Sequence, residues 1–344
     1  MLEKLMTQAP DLPVVKATDL TKKYGAFTAL DKLSIELLKG QILGFIGPNG
    51  AGKTTTIKIL VGLAKPTAGE AYIVGCNCTT ESKKIKRLVG YMPDTFGAYD
   101  NMRVQEYLDF FGAAFAIPRK QRRTRIDWVL ETTGATHMRD LFVESLSHGM
   151  KQRIGIARTL LHDPPVLILD EPANGLDPTA RVEMRQILLK LADMGKTLIV
   201  TSHILPELSR ICNVVAIITG GKLRAFGSLD TIMHDLRQKR LFEVQLAGTA
   251  DAAAAAARLS DLLGTSVPVE ASQVEGLLRF STTLADEELA HVLRELIARG
   301  VMVTQFREVQ QDLEDAFLSV TRAAAEQDRL AADVPAPAAG GAVS

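Results

Sequence analysis

Gly47-Pro48-Asn49-Gly50-Ala51-Gly52-Lys53-Thr54 is the stretch on which the fold turns. It fits the spacing G-x-x-x-x-G-K-[ST]. Before it runs Gln41-Ile42-Leu43-Gly44-Phe45-Ile46, an apolar strand of the kind buried on both faces. After it, Ile57, Leu60 and Val61 recur at helical spacing within residues 53–63. Strand, glycine-rich turn and helix in this order predict a phosphate loop. The glycines let the backbone curl until successive N–H groups face one anion. The helix start adds its positive dipole end. The chemistry assigns Lys53 to the β- and γ-phosphates of a nucleoside triphosphate and the Thr54 hydroxyl to Mg²⁺, with Thr55 as a further phosphate contact.

A second strand ends in charge. Val166-Leu167-Ile168-Leu169 is apolar and runs directly into Asp170-Glu171. A buried strand tipped by acids needs a cation there. Beside a phosphate loop that cation is Mg²⁺, held by Asp170, usually through water. Glu171 is then placed to orient or deprotonate the attacking water.

Strands alternate with helices around these motifs. Residues 14–20 and 27–38 alternate like strands, residues 104–162 are mostly helical, and residues 181–194 form an amphipathic helix. Residues 197–201 and 214–219 are further buried strands. The pattern predicts an α/β fold with a parallel core sheet.

Between the two chemical motifs lies Leu146-Ser147-His148-Gly149-Met150-Lys151-Gln152. This resembles the LSGGQ signature of ABC-type ATPases. Tyr24 stands where that family has its adenine-stacking aromatic, Asn174-Gly175-Leu176-Asp177 matches its D-loop, and His203 matches its switch histidine. The resemblance covers residues 14–230 and identifies an ABC transporter ATP-binding subunit. It implies a P-loop nucleotide-binding domain with a parallel core sheet, an antiparallel β subdomain and a helical subdomain near residues 96–162. It implies ATP and Mg²⁺ as ligands, and Mg-dependent ATPase activity. Glu171, His203 and Lys53 would be catalytic. Tyr24, residues 47–52, Lys53, Thr54 and Thr55 would bind ATP. Ser147, His148, Gly149 and Met150 would cap the nucleotide of the opposite subunit, with Asp177 in the D-loop. The implied partners are a like subunit, in a homodimer or heterodimer, and a transmembrane permease on a separate chain.

The chain departs from the family pattern twice. Asp94 stands where a glutamine usually follows the strand ending near residue 92; it is shorter and charged, and still able to approach Mg²⁺. In the signature, His148 replaces a glycine and Met150 a glutamine, while Ser147 and Gly149 are kept. Phe110, Phe111 and Phe115 have a spacing that fits a helix core, or contact with the membrane subunit.

After residue 235 the pattern changes. Strand-like runs at 242–246, 267–270, 276–280 and 301–307 alternate with helices at 250–264 and 286–299, and a helix begins at Asp312. The βαββαβ order predicts a small α+β, ferredoxin-like domain over 236–322. Asp312-Leu313-Glu314-Asp315-Ala316-Phe317-Leu318 resembles the extension of exporter-type subunits, implying a dimerisation or regulatory role. Residues 1–13 form an N-terminal extension, and residues 323–344 a helical end with a Pro/Ala/Gly-rich tail expected to be disordered.

The 344 residues fit about two domains. Forty basic residues balance forty acidic ones, so no global charge draws the chain to nucleic acid or to an anionic membrane. Three cysteines are too few for a disulfide framework. No apolar run approaches the roughly 20 residues that span a bilayer, and residues 1–13 lack a signal peptide's apolar block. These features point to the cytoplasm, and the family resemblance implies a peripheral place on the inner face of the membrane. A family member acting on DNA or ribosomes predicts heptad arms or two tandem cassettes, and the sequence has neither. A non-hydrolysing sensor predicts loss of Glu171 or His203, and both are there.

Overall fold

The computed structural model describes residues 12–95, 97, 101–202, 205–232, 240–248, 251–264, 267–309, 315, 317, 318 and 321. They fall into two units, one built on the chain up to Leu229 and one on Asp230–Leu318.

The first unit opens with strands β1 (Val15–Tyr24) and β2 (Phe27–Leu37), paired antiparallel across a turn at Gly25. Alternation in β2 turns Leu33, Ile35 and Leu37 into the core. Strand β3 (Ile42–Ile46) is buried at every position and leads through the glycine loop into helix α1 (Lys53–Leu60). Strands β4 (Ala68–Ile73) and β5 (Cys76–Asn77) complete an antiparallel sheet in the order β2-β1-β4-β5. Helix α2 (Ser82–Leu88) then delivers β6 (Val89–Met92).

The helical region comprises α3 (Val104–Ala114), α4 (Arg119–Thr132) and α5 (His148–Leu160). Strand β7 (Val166–Asp170), helix α6 (Pro178–Asp193), strand β8 (Thr197–Thr201), the short helix α7 (Leu205–Leu208) and strands β9 (Val214–Thr219) and β10 (Lys222–Ser228) finish the unit. A six-stranded sheet runs β10-β9-β3-β8-β7-β6, parallel throughout except for the β9–β10 pair. One core joins the two sheets: Leu20 and Ile35 pack with Phe45, Ile57, Ile168 and Ile199.

The predicted α/β architecture is present, and the local differences have physical reasons. Strand β4 starts Ala68-Gly69-Glu70, all exposed, so it carries no apolar alternation to read. Gly69 is needed there because a Cβ would lie 2.2 Å from the Asp19 carbonyl oxygen. Helix α6 starts three residues before its apolar pattern does, because Asp177 caps it and Pro178 fits its first turn.

In the second unit, β11 (Arg240–Leu246), helix α8 (Ala252–Leu263), β12 (Val269–Ser272), β13 (Leu277–Thr282), helix α9 (Asp286–Ala298) and β14 (Val303–Val309) follow in the expected order. The sheet is β12-β13-β11-β14 with all neighbours antiparallel, the split βαβ arrangement of ferredoxin-like domains. Phe242, Phe280 and Phe306 meet with ring centroids 5.4–6.2 Å apart in its core. Most of the helix expected from Asp312 lies outside the described residues. Among those described, no helix is long and apolar enough to cross a membrane.

Candidate active site

Strands β3, β6, β7 and β8 all end at one edge of the parallel sheet. That carboxyl edge is where open α/β sheets bind ligands. Here it gathers the glycine loop, Asp94, Asp170-Glu171 and Ser202.

The loop's glycines answer to sterics. A Cβ on Gly47 would lie 2.4 Å from the Ile218 carbonyl oxygen, and one on Gly52 would lie 2.8 Å from that of Ala29. Gly50 and Gly52 have φ of 79° and 112°, which L side chains rarely adopt. Gly221 N–H donates to the Ala51 carbonyl at 3.0 Å and fixes the loop to the β9–β10 turn. Pro48, Asn49 and Gly50 are exposed. Gly52 caps α1 and has no side chain, and the first helical bond runs from Thr56 N–H to its carbonyl. The N–H groups of Lys53, Thr54 and Thr55 are therefore left without helical acceptors. Thr54 is exposed and Thr55 half-buried.

Lys53 Nζ donates to the Gly47 carbonyl and, at 3.2 Å, to that of Pro48. Burial lowers its pKa, and the Glu171 and Asp170 carboxylates oppose that shift. The cation and the two acids thus share one electrostatic site.

Thr201 organises the acids, and the sequence reading did not single it out. Its hydroxyl donates to Asp170 Oδ1 at 2.6 Å and accepts from Glu171 N–H at 3.0 Å. The β7–β8 register pairs Asp170 with Thr201, so a polar residue ending a buried strand beside an acid was the available signal. Glu171 has a φ of +52°, a conformation sparsely populated by non-glycine residues. Asp94 is exposed two residues beyond β6. The half-buried Tyr91 hydroxyl has its pKa raised by burial first, then by Asp170 and Asp94.

The signature residues lie at the start of α5. Ser147 caps the helix, accepting from Met150 N–H at 3.3 Å. Ser147 and His148 are exposed, and Gly149 and Met150 half-buried. A Cβ on Gly149 would meet Ala180 Cβ at 3.4 Å and Leu176 Cδ2 at 3.5 Å, so the glycine lets α5 seat against the start of α6. Asp177 Oδ1 accepts from Ala180 N–H at 2.9 Å. Tyr24 ends β1, exposed, with Lys22 Nζ 4.9 Å from its ring centroid. His203 lies outside the described residues. Phe110 is exposed, Phe111 packs edge-on to the buried Tyr107, and Phe115 stacks on His162.

The sequence profile described as "ABC transporter" matches residues 30–174. Over 308 residues the chain is 37% identical to the bacitracin transport ATP-binding protein BcrA of Bacillus licheniformis, covering 89% of this chain and 97% of that protein. The chain belongs to the ABC transporter family. This ABC transporter ATP-binding subunit is also 35% identical over 309 residues to YhcH, an uncharacterized ABC transporter ATP-binding protein of Bacillus subtilis, covering 90% and 96% of the two chains. Among solved structures, an ATP-binding subunit of an ABC transporter superposes with a TM-score of 0.59 at 29% identity, covering 65% of this chain and 93% of its own.

The donor set of this ABC subunit suits Mg²⁺. Among the described residues no cluster of three or more His, Cys, Asp or Glu side chains could hold a metal on its own. Mg²⁺ is typically held by one or two carboxylates completed by substrate phosphates. Asp170 meets that need: Thr201 holds Oδ1, and Oδ2 has no hydrogen bond among the described residues.

Proposed function

We propose that this subunit binds ATP with Mg²⁺, hydrolyses it between two subunits, and so drives export through a separate transmembrane permease. The observation that carries the reading is the joint placement of Lys53, Asp170 and Glu171 at the carboxyl edge of the sheet. The N–H groups of the loop and of the α1 start bind the phosphates, and Lys53 adds positive charge. Thr54 and Asp170 would hold Mg²⁺, with Asp94 beyond the end of β6 as a further carboxylate that could approach it; when bound, the ion would neutralise charge on the phosphate oxygens. Glu171 positions and takes a proton from the attacking water, and His203 senses the γ-phosphate. Tyr24 stacks on adenine. The signature stretch Ser147, His148, Gly149 and Met150 caps the nucleotide of a second subunit, identical or similar, through the Ser147 hydroxyl and the N–H groups of the α5 start, and Asp177 lies in the D-loop. ATP thereby joins two subunits and hydrolysis releases them.

The named role of the Nod factor export ATP-binding protein I of Ralstonia nicotianae, 36% identical over 225 residues, supports export as the direction of coupling. The C-terminal unit serves dimerisation or regulation, and the subunit works in the cytoplasm on the inner face of the membrane, with no nucleic-acid partner. Glu171→Gln tests the chemistry. It is expected to abolish turnover and trap an ATP-bound dimer on size-exclusion chromatography. Full ATPase activity in that variant would refute the role of Glu171. Recovery of a multi-helix membrane protein with the tagged subunit from solubilised membranes tests the coupling; recovery of ribosomes alone would sink it.

A further inference from the structure

His148 opens the signature helix and reaches across to another motif of its own chain. Its Nε2 lies 2.8 Å from the Asn174 carbonyl oxygen. A carbonyl only accepts, so the ring proton sits on Nε2. Gly175, with φ +68°, makes the room: a Cβ there would come within 3.4 Å of His148 Nε2. Gln152, one turn along α5 and buried, brings its side-chain amide to 3.4 Å of the same nitrogen. The Gln152 Oε1 atom is buried with no partner among the described residues, and the amide orientation that turns Oε1 toward the ring N–H pairs it.

The contact continues toward the acids. Asn174 N–H donates to the Glu171 carbonyl at 3.1 Å, closing the turn Glu171-Pro172-Ala173-Asn174. That turn begins at the positive φ of Glu171 and is held at its near end by Thr201. A backbone conformation of this kind is sparsely populated and persists only when its surroundings hold it. Thr201 holds one end of the turn and His148 the other.

We propose that His148 is a positioning residue for Glu171: its Nε2–H anchors the Asn174 carbonyl and so fixes the turn that presents the carboxylate. The inference deepens the ATPase reading and rests on it. One residue, Asn174, then joins the signature helix to the acidic turn of the same subunit, accepting from His148 through its carbonyl and donating to Glu171 through its N–H. Movement of that helix against a nucleotide would be felt at Glu171.

Steady-state ATPase kinetics on the full chain test this with four variants. Wild type must hydrolyse ATP and Glu171→Gln must not; failure there overturns the ATPase reading, whatever His148 does. Given that, His148→Ala is expected to lower kcat about tenfold, the loss of one hydrogen bond, with KM for ATP within about twofold. His148→Gln, whose amide N–H reaches as far as Nε2, is expected to restore kcat to within about threefold. His148→Asn, one methylene shorter, is expected to behave like alanine. His148 is exposed, and thermal melts should place all three variants close to wild type. Wild-type kcat in His148→Ala, a loss that glutamine does not rescue, or a change confined to KM would each overturn the positioning role.

Discussion

The Thr201 hydroxyl donates to Asp170 Oδ1 at 2.6 Å, from a side chain with no exposure to solvent. The same oxygen accepts from Glu171 N–H, so one buried hydroxyl sets both acids. Thr201→Val keeps the shape and deletes the hydroxyl. It removes the hydrogen bond that Thr201 accepts from Glu171 N–H and the one it donates to Asp170. The expected result is a fall in kcat of about tenfold to a hundredfold and a stability loss of about 1–3 kcal/mol. Thr201→Ser keeps the hydroxyl and should retain most of the activity. ATPase assays and urea melts on the two variants check this, and equal activity in the valine variant would refute it.

The phosphate-loop glycines should differ in cost. Gly47→Ala sets a methyl group 2.4 Å from the Ile218 carbonyl oxygen, inside any tolerable contact, so β9 and the loop must part. Loss of ATP binding and destabilisation by roughly 2–4 kcal/mol are expected. Gly50→Ala meets nothing within 4 Å but keeps a φ of 79°. Only the left-handed backbone penalty of about 1 kcal/mol should appear. Calorimetric ATP titration with thermal melts separates the two, and a benign Gly47→Ala would show that the loop can move.

This contrast shows what the sequence could express. The glycine spacing was legible because a short loop that curls its N–H groups around one anion leaves its glycines at fixed intervals, whatever distant residues each of them meets. The acids of β7 were legible because charge at the tip of an apolar strand needs an explanation. Thr201 was not, since a threonine in Thr197-Leu198-Ile199-Val200-Thr201 reads as a β-branched strand former. Its role appears only with the register that pairs it to Asp170. His148 was legible as a signature residue but not as the partner of Asn174, because that contact depends on how α5 meets the loop before α6. Strand β10 was missed for a related reason: with Lys222, Arg224 and Gly227 on an edge, its partner β9 defines it more than its own pattern does.

Lys53 stands among opposing forces, with burial lowering its pKa and two carboxylates raising it. Lys53→Met removes the cation and leaves Asp170 and Glu171 facing an incoming polyphosphate. ATP affinity is expected to fall at least about tenfold, equivalent to about 1.4 kcal/mol. Lys53→Arg should not rescue it fully, because a planar guanidinium does not reproduce a compact ammonium held on the loop carbonyls. Unchanged affinity in Lys53→Met would count against the phosphate-loop reading.

His162 gives stability a pH dependence away from the nucleotide site. Its ring stacks on Phe115 with centroids 4.0 Å apart, and Nε2 lies 3.2 Å from the Val89 carbonyl. Burial pushes its pKa down to about 4; the Val89 carbonyl and Asp163 oppose this, while Arg125 and Lys196 reinforce it. The unfolded chain, with an ordinary histidine pKa near 6.5, binds the proton more readily between these values. Stability therefore rises with pH from about 4 to about 6.5, and this histidine contributes no slope above that range. The contribution is at most about 3 kcal/mol across the window. His162→Gln keeps a donor for Val89 and removes the titration. Urea unfolding at pH 7.5 and pH 5 should show a smaller pH-dependent loss in the variant, although its stability at pH 7.5 is lowered by the missing ring stack. An identical loss in both proteins would place the acid sensitivity elsewhere, with the Asp163 ion pairs to Arg125 and Lys196 next to be tested.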